Sequence, residues 1–272
     1  MENQPYVVIT PKVTKVPFVL SIPHSGIEFP NELKSKYNQE LIAQPDDTDW
    51  FLQQLYDFSS ELGITIIYAR YSRWVIDLNR DPASKPLYND GRIITALTPV
   101  TDFLGNKIYS EEKDEPNEEE VKRRLSIYYW PYYKKIEELM AGLQEDFNHV
   151  QFWDAHSIRS LVPTIRKDKF PEMILGDNDE KTADKSLIAV AMESLSSASF
   201  QVNHNEPFKG GHLTRYFGNP EKKIHALQLE MIKSLYMNSD ELIYDAEKAL
   251  AVKNVLKSTF ESLIKKMEEV NQ

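Results

Sequence analysis

Short apolar runs, several of them closing on a polar residue capable of chemistry, recur along this chain and are separated by stretches of helical period. Phe18 to Ile22 (FVLSI) leads into Pro23, His24, Ser25 and Gly26, and Trp74 to Leu78 (WVIDL) into Asn79 and Arg80. Val150 to Trp153 (VQFW) leads into Asp154, Ala155, His156 and Ser157, and Ile224 to Leu229 (IHALQL) into Glu230. Ile64 to Tyr68 (ITIIY) and Ser199 to Val202 are further runs of the kind. Their brevity and their β-branched and aromatic content predict buried strands. Between them, Phe51, Leu55, Phe58 and Leu62 share one face of a helix from Trp50 to Leu62 that Gly63 stops. A second helix is predicted from Lys181 to Leu195. A third runs from about Asn238 to Met267 and buries Leu242, Ala246, Leu250, Leu256, Phe260, Leu263 and Met267. Strands alternating with helices, without repeats or a low-complexity linker, predict a single α/β domain over residues 1–272. Its sheet is mixed, mostly parallel and covered on both faces.

Glu111 to Glu120 (EEKDEPNEEE) reads as a solvated loop entering a helix, whose start suits acidic side chains. Asn117 and Glu120 have the spacing of a capping box, and the helix extends to about Phe147 with a kink or restart at Pro131. Its aromatics Tyr128, Tyr129, Trp130, Tyr132 and Tyr133 flank lysines and arginines. Glu118 to Glu120, Glu137 and Glu138 offset those cations, so the rings read as core packing rather than base stacking.

Charge and composition narrow the function. The 272 residues carry a net charge of −10, which argues against nucleic acid as a partner. No stretch of about 18 apolar residues suggests a membrane span. The first residues lack the basic start and apolar core of a signal peptide, so the cytoplasm is the expected compartment. Cysteine is absent. Any metal must therefore be held by imidazole or oxygen donors.

In open α/β sheets, ligands bind outside the carboxyl ends of the strands, where His24, Asn79, Arg80, His156 and Glu230 all fall. Two histidines and a carboxylate make a zinc site with room for water, beside which a further Glu serves as general base. The carboxylate is sought among Asp46, Asp47 and Asp49, residues that otherwise serve as helix caps. Asp154 is placed to orient the His156 ring. His149 and His225 read as structural, whereas His204 and His212, flanking Lys209, Gly210 and Gly211, are weaker ligand candidates. A serine hydrolase using Ser25 or Ser157 is a weaker reading, because neither lies in a G-x-S-x-G elbow.

The set PHSG (23–26), DTDW (47–50), ARYSRWVIDLNRDP (69–82), LYNDGR (87–92), DAHS (154–157), FKGGHLTRYFG (208–218) and HALQLEM (225–231) resembles the N-formylglutamate amidohydrolase family, in consistent order over residues 17–240. The resemblance implies a three-layer, phosphorylase/hydrolase-like fold akin to zinc carboxypeptidases, and hydrolysis of N-formyl-L-glutamate to glutamate and formate in histidine degradation. It implies that His24, His156 and an Asp of DTD, Asp47 first and Asp49 second, hold zinc, or else manganese or cobalt. Carboxypeptidases place a metal Glu three residues after the first His; here that position is Ile27, which turns the search to DTD. Glu230 matches the general base, and Asn79 with Arg80 the pair that grips a substrate carboxylate. Because the substrate is a small dianion, Arg73 and Arg215 are further candidates. The alternatives are a deacylase or carboxypeptidase acting on another N-acyl amino acid or short peptide, and a non-catalytic amino-acid binding protein. Oligomeric state is not legible.

Overall fold

The computed structural model describes residues 4–83 and 96–272, so the LYNDGR motif lies outside the described residues. The strands are β1 (Tyr6–Ile9), β2 (Phe18–Ile22), β3 (Thr65–Ala69), β4 (Val150–Ile158), β5 (Met173–Gly176), β6 (Val202–His204) and β7 (Ile224–Ile232). The helices are α1 (Asn31–Lys34), α2 (Leu52–Leu55), α3 (Glu118–Arg124), α4 (Trp130–Gln144), α5 (Lys185–Ser196), α6 (His212–Phe217) and α7 (Ala246–Asn271). The strands form one sheet in the order β1-β3-β2-β4-β7-β5-β6. β3, β2, β4 and β7 are mutually parallel. β1 and β5 join this group antiparallel, and β6 runs parallel to β5.

Alternation along the buried strands sorts their side chains onto two faces. Val19, Ile67, Val150, Phe152 and Ala226 pack with Tyr132, Tyr133 and Ile136 of α4 and with Leu213 and Phe217 of α6. Phe18, Leu20, Ile66, Trp153, Leu227 and Leu229 face the other way, onto Leu187 and Ala191 of α5 and Leu256, Phe260 and Leu263 of α7. The mixed three-layer α/β arrangement read from the sequence is thus observed. Among the described residues no helix is long and apolar enough to cross a membrane.

Several elements depart from the sequence reading. WVIDL is a succession of turns, not a strand. Side chains take its carbonyls in place of strand neighbours: Tyr37 Oη donates to Trp74 O, Arg124 Nη1 to Val75 O and Tyr133 Oη to Leu78 O. β4 and β7 run on through DAHS and past Glu230, so those residues lie inside strands. The segment 50–62 divides into α2 and a 3₁₀ stretch, Asp57–Leu62, ended by Gly63 at φ 86°. Asn117 caps α3 through Glu120 N–H as expected, but a π turn, Leu125–Tyr129, separates α3 from α4. The C-terminal helix starts at Ala246 behind an Asp245 cap; Leu242, Ala246 and Leu250 are exposed, and Ala249, Val252, Val255 and Thr259 join the buried stripe. The strand sought at 199–202 forms at Val202–His204, and β1 and β5 went unread.

Candidate active site and metal centre

The register of β4 and β7 sets His156 directly beside Glu230 and Asp154 beside Gln228. A period of two keeps these four on one face, so neighbouring strands present an imidazole and a carboxylate together. β2 ends at Ile22, and the turn after it carries His24. Asp49 N–H donates to the His24 carbonyl at 2.9 Å, binding the loop of the DTD motif to that turn. Lys233, buried at the end of β7, donates through Nζ to Asp46 O at 2.8 Å and anchors the same loop from below.

His24, Asp49 and His156 are all buried, and one donor atom from each lies within 4.8 Å of the others. Nδ1 of His24 and Nδ1 of His156 face Asp49 Oδ2 at 3.9 and 3.2 Å. Each opposite ring nitrogen faces a second carboxylate: His24 Nε2 lies 2.8 Å from Asp77 Oδ1, and His156 Nε2 lies 3.1 Å from Asp154 Oδ1. That pairing fixes ring orientation and raises ligand basicity around a metal. Asp154 Oδ1 is buried and has no hydrogen-bond donor of suitable geometry, an acceptor awaiting the proton that a metal-ligating His156 would carry on Nε2. The donor set, free of thiolate, therefore fits a divalent metal.

Asp47, the carboxylate preferred in the sequence, points elsewhere. It accepts from Trp74 Nε1 and Phe103 N–H, both at 2.9 Å, and so organises the wall of the site. Asp49 stands among the histidines instead. Alternation within the loop separates the two carboxylates, and both serve the site without being interchangeable.

Burial and close charges shift the ionisable groups. Removal from water lowers the His24 pKa, with Arg73 adding to the effect. Burial acts the same way on His156, but Asp154 and Asp49 overcome it and hold that pKa well above the ordinary value. Burial raises Glu230 to about 8, and nearby Asp49 reinforces the shift against His156 and Arg73. Glu230 accepts no hydrogen bond from any described residue. A carboxyl group held partly protonated near neutrality, beside a candidate metal group and with unclaimed lone pairs, suits proton transfer.

Asp77 was not singled out in the sequence, yet it is a hub. Its carboxylate meets His24, Arg73 Nη2 at 2.6 Å, Arg80 Nε at 3.6 Å and the Asn79 N–H at 2.9 Å. The available signal was an Asp inside an apolar run, a buried charge that requires cationic partners. Arg73 is buried and lies over the Phe103 ring at 4.7 Å. Asn79 Nδ2 reaches His156 Nε2 at 2.9 Å while its Oδ1 accepts from Leu213 N–H at 2.8 Å. Gly211 makes this approach possible, since a Cβ there would fall 2.2 Å from Asn79 Nδ2. Arg215 donates through Nε to Gly210 O, on the same loop.

The remaining histidines stay outside the group. His204 pairs with Asp177 at 2.6 Å, and His212 packs near Tyr133 and Tyr216. His149 and His225 stack on each other near the opposite end of β4 and β7, with Nδ1 and Nε2 2.9 Å apart. Ser157 projects to the other face and its Oγ bonds Tyr236 Oη, while Ser25 Oγ lies near Ile22 O, so neither serine pairs with a histidine.

The profile of the N-formylglutamate amidohydrolase family matches residues 16–237. An N-formylglutamate deformylase of Pseudomonas aeruginosa is 38% identical over 260 residues, 94% of this chain and 96% of that protein. One of Pseudomonas putida is 37% identical over 253 residues, 92% of this chain and 93% of that protein. The crystal structure of an N-formylglutamate amidohydrolase from Ralstonia eutropha superposes with a TM-score of 0.80 at 24% identity, covering 98% of this chain and 99% of the other. Profile and sequence identity extend over nearly the whole chain, which accordingly belongs to the N-formylglutamate amidohydrolase family.

Proposed function

We propose that this chain hydrolyses N-formyl-L-glutamate to L-glutamate and formate, a step of histidine degradation, with a divalent metal held by His24, Asp49 and His156. The observation that carries the reading is the buried His24–Asp49–His156 group with Glu230 beside it on the neighbouring strand. Zinc is the metal this donor set suits best, with manganese or cobalt as substitutes. Bound there, it would supply Lewis acidity toward the formyl oxygen and lower the pKa of a water toward roughly 7.

The protein's own groups do the rest. Asp77 and Asp154 hold the two imidazoles by Nε2 and keep Nδ1 turned inward. Once His156 Nε2 carries the ring proton and directs it to Asp154, the Asn79 amide loses that acceptor and is released to serve a substrate carboxylate. Glu230 takes the proton of the attacking water and returns it to the departing amine, the two halves of one general acid–base cycle. A raised pKa suits the second transfer, and a nearby cation, which favours the ionised form, suits the first. Arg80 and Arg73, beside Asp77, supply positive charge for the α-carboxylate and for charge developing on the formyl oxygen. Arg215, in α6, bonds back to the Gly210 carbonyl of the loop behind Asn79 and reinforces that field.

Steady-state comparison of N-formyl-, N-acetyl- and N-carbamoyl-L-glutamate tests the proposal. The formyl compound should give the highest kcat/KM. A higher value for either of the others would move the assignment to a different acyl group.

A further inference from the structure

Resting on the proposed reaction, we infer that Arg166 is the cation that meets the γ-carboxylate of the substrate and so selects glutamate among N-formyl amino acids. Arg166 lies in the segment that follows the carboxyl end of β4, the strand that carries His156. The N–H groups of Ile165 and Arg166 both donate to Val162 O, at 2.9 and 3.0 Å, which folds the segment into a turn. Thr164 Oγ1 bonds to Phe103 O. Phe103 in turn donates to Asp47 and carries Arg73 over its ring. On the other side, Phe170 stacks on Phe208 with centroids 5.3 Å apart, and Phe208 begins the stretch leading to Gly211 and Asn79. These ties connect the segment that carries Arg166 to Phe103 on one side and to the 208–211 stretch on the other.

The guanidinium of Arg166 lies over the Phe170 ring at 5.5 Å. Its Nη1 is buried from water and has no hydrogen-bond acceptor among the described residues. A buried guanidinium N–H without an acceptor is rare in folded proteins, because desolvation is then uncompensated. The other described arginines named for the site are engaged. Arg73 bonds Asp77, Arg159 bonds Asp46 and approaches Glu241, and Arg215 bonds Gly210 O. Arg80 also reaches Asp77.

The shape of the substrate assigns the two carboxylates. The α-carboxylate sits one carbon from the scissile amide nitrogen, so it must be met close to the metal group, where Arg73 and Arg80 stand. The γ-carboxylate lies two methylenes farther out and needs a second cation with a free planar edge. Arg166 carries an Nη1 with no acceptor among the described residues, and a guanidinium meets a carboxylate bidentately.

Two arms test this. In the first, Arg166→Gln and Arg166→Lys are compared with wild type on N-formyl-L-glutamate and on N-formyl-L-norvaline, which lacks the γ-carboxylate. Arg166→Gln should lower kcat/KM for the glutamate compound by about 10- to 100-fold, mostly through KM, while the norvaline compound is unchanged and Lys restores part of the loss. Equal losses on both compounds, or no loss on the first, would overturn the inference. In the second arm, calorimetry measures L-glutamate and L-norvaline binding to the metal-loaded proteins. Wild type should prefer glutamate and Arg166→Gln should not; an undiminished preference in the variant would overturn it. Wild type that failed to hydrolyse N-formyl-L-glutamate would refute the proposed reaction, and the calorimetric arm would still decide the role of Arg166.

Discussion

Replacing Glu230 by Gln should move activity and stability in opposite directions. The side chain accepts no hydrogen bond from any described residue, so an isosteric amide leaves no partner stranded. In the metal-free protein burial raises the Glu230 pKa from 4.5 to about 8. A raised carboxyl pKa means that folding favours the protonated form. The sign follows: the cost is absent below the unfolded value of 4.5, grows as pH rises from there, and levels off above about 8. At pH 7 that is up to about 3 kcal/mol at 1.36 kcal/mol per unit, and residual solvent contact reduces it to about 1–3 kcal/mol. Gln never pays it. Denaturant unfolding of metal-stripped protein should therefore show Glu230→Gln more stable than wild type by that amount at pH 7, with the gap closing toward pH 5. Turnover of N-formyl-L-glutamate should fall by about 10²- to 10⁴-fold, the usual contribution of a general base, with metal content unchanged. A variant within tenfold of wild-type turnover would remove Glu230 from the chemistry. One less stable than wild type at pH 7 would refute the burial argument.

Three further outcomes follow from the geometry. Asp49→Asn should lose metal at chelator concentrations that wild type and Asp47→Asn withstand, by about 100-fold in affinity, as read by elemental analysis, because Asp47 is turned to Trp74 and Phe103 instead. Gly211→Ala must displace Asn79, so kcat/KM should drop at least about tenfold with metal content retained, and an unaffected rate would show that Asn79 is dispensable. Glu120, whose pKa its bonds to Arg123 and Arg124 lower to about 2, contributes stability that is present above 4.5 and lost as pH falls toward 2. Glu120→Gln should cost about 2 kcal/mol at pH 7 after discounting for screening, because buried Arg124 loses its carboxylate, and the difference from wild type should vanish as pH approaches 2.

Much of the architecture was legible because apolar runs and their breaks are local signals. FVLSI and IHALQL are strands as read; the turn after the first carries His24, while the second runs on through Glu230. The misreadings share a cause in tertiary satisfaction of backbone and charge. WVIDL has strand composition, but three side chains from distant segments claim its carbonyls. β4 was cut short at Trp153 because Asp154 and His156 interrupt the apolar run, although alternation continues through them. Asp47 and Asp49 sit two residues apart, and composition offers no means of choosing between them; the hydrogen bond from Asp49 N–H to His24 O, which sequence does not encode locally, turns the second one inward. Arg166 was invisible for the complementary reason, since its significance lies in the partners it lacks, whereas Asp77 was signalled only by its place inside an apolar run. The net charge of −10 is carried in part by exposed segments such as 111–120, whereas Arg73 and Arg80 meet the buried Asp77 beside His24.

The most direct test strips the protein of metal, verifies its absence by elemental analysis, and follows N-formyl-L-glutamate hydrolysis as zinc is returned. Activity should be absent at the start and rise in proportion to zinc until about one equivalent per chain is bound, in wild type and not in His24→Ala or His156→Ala. Full turnover by verified metal-free protein, or full zinc-restored turnover in both histidine variants, would contradict the account.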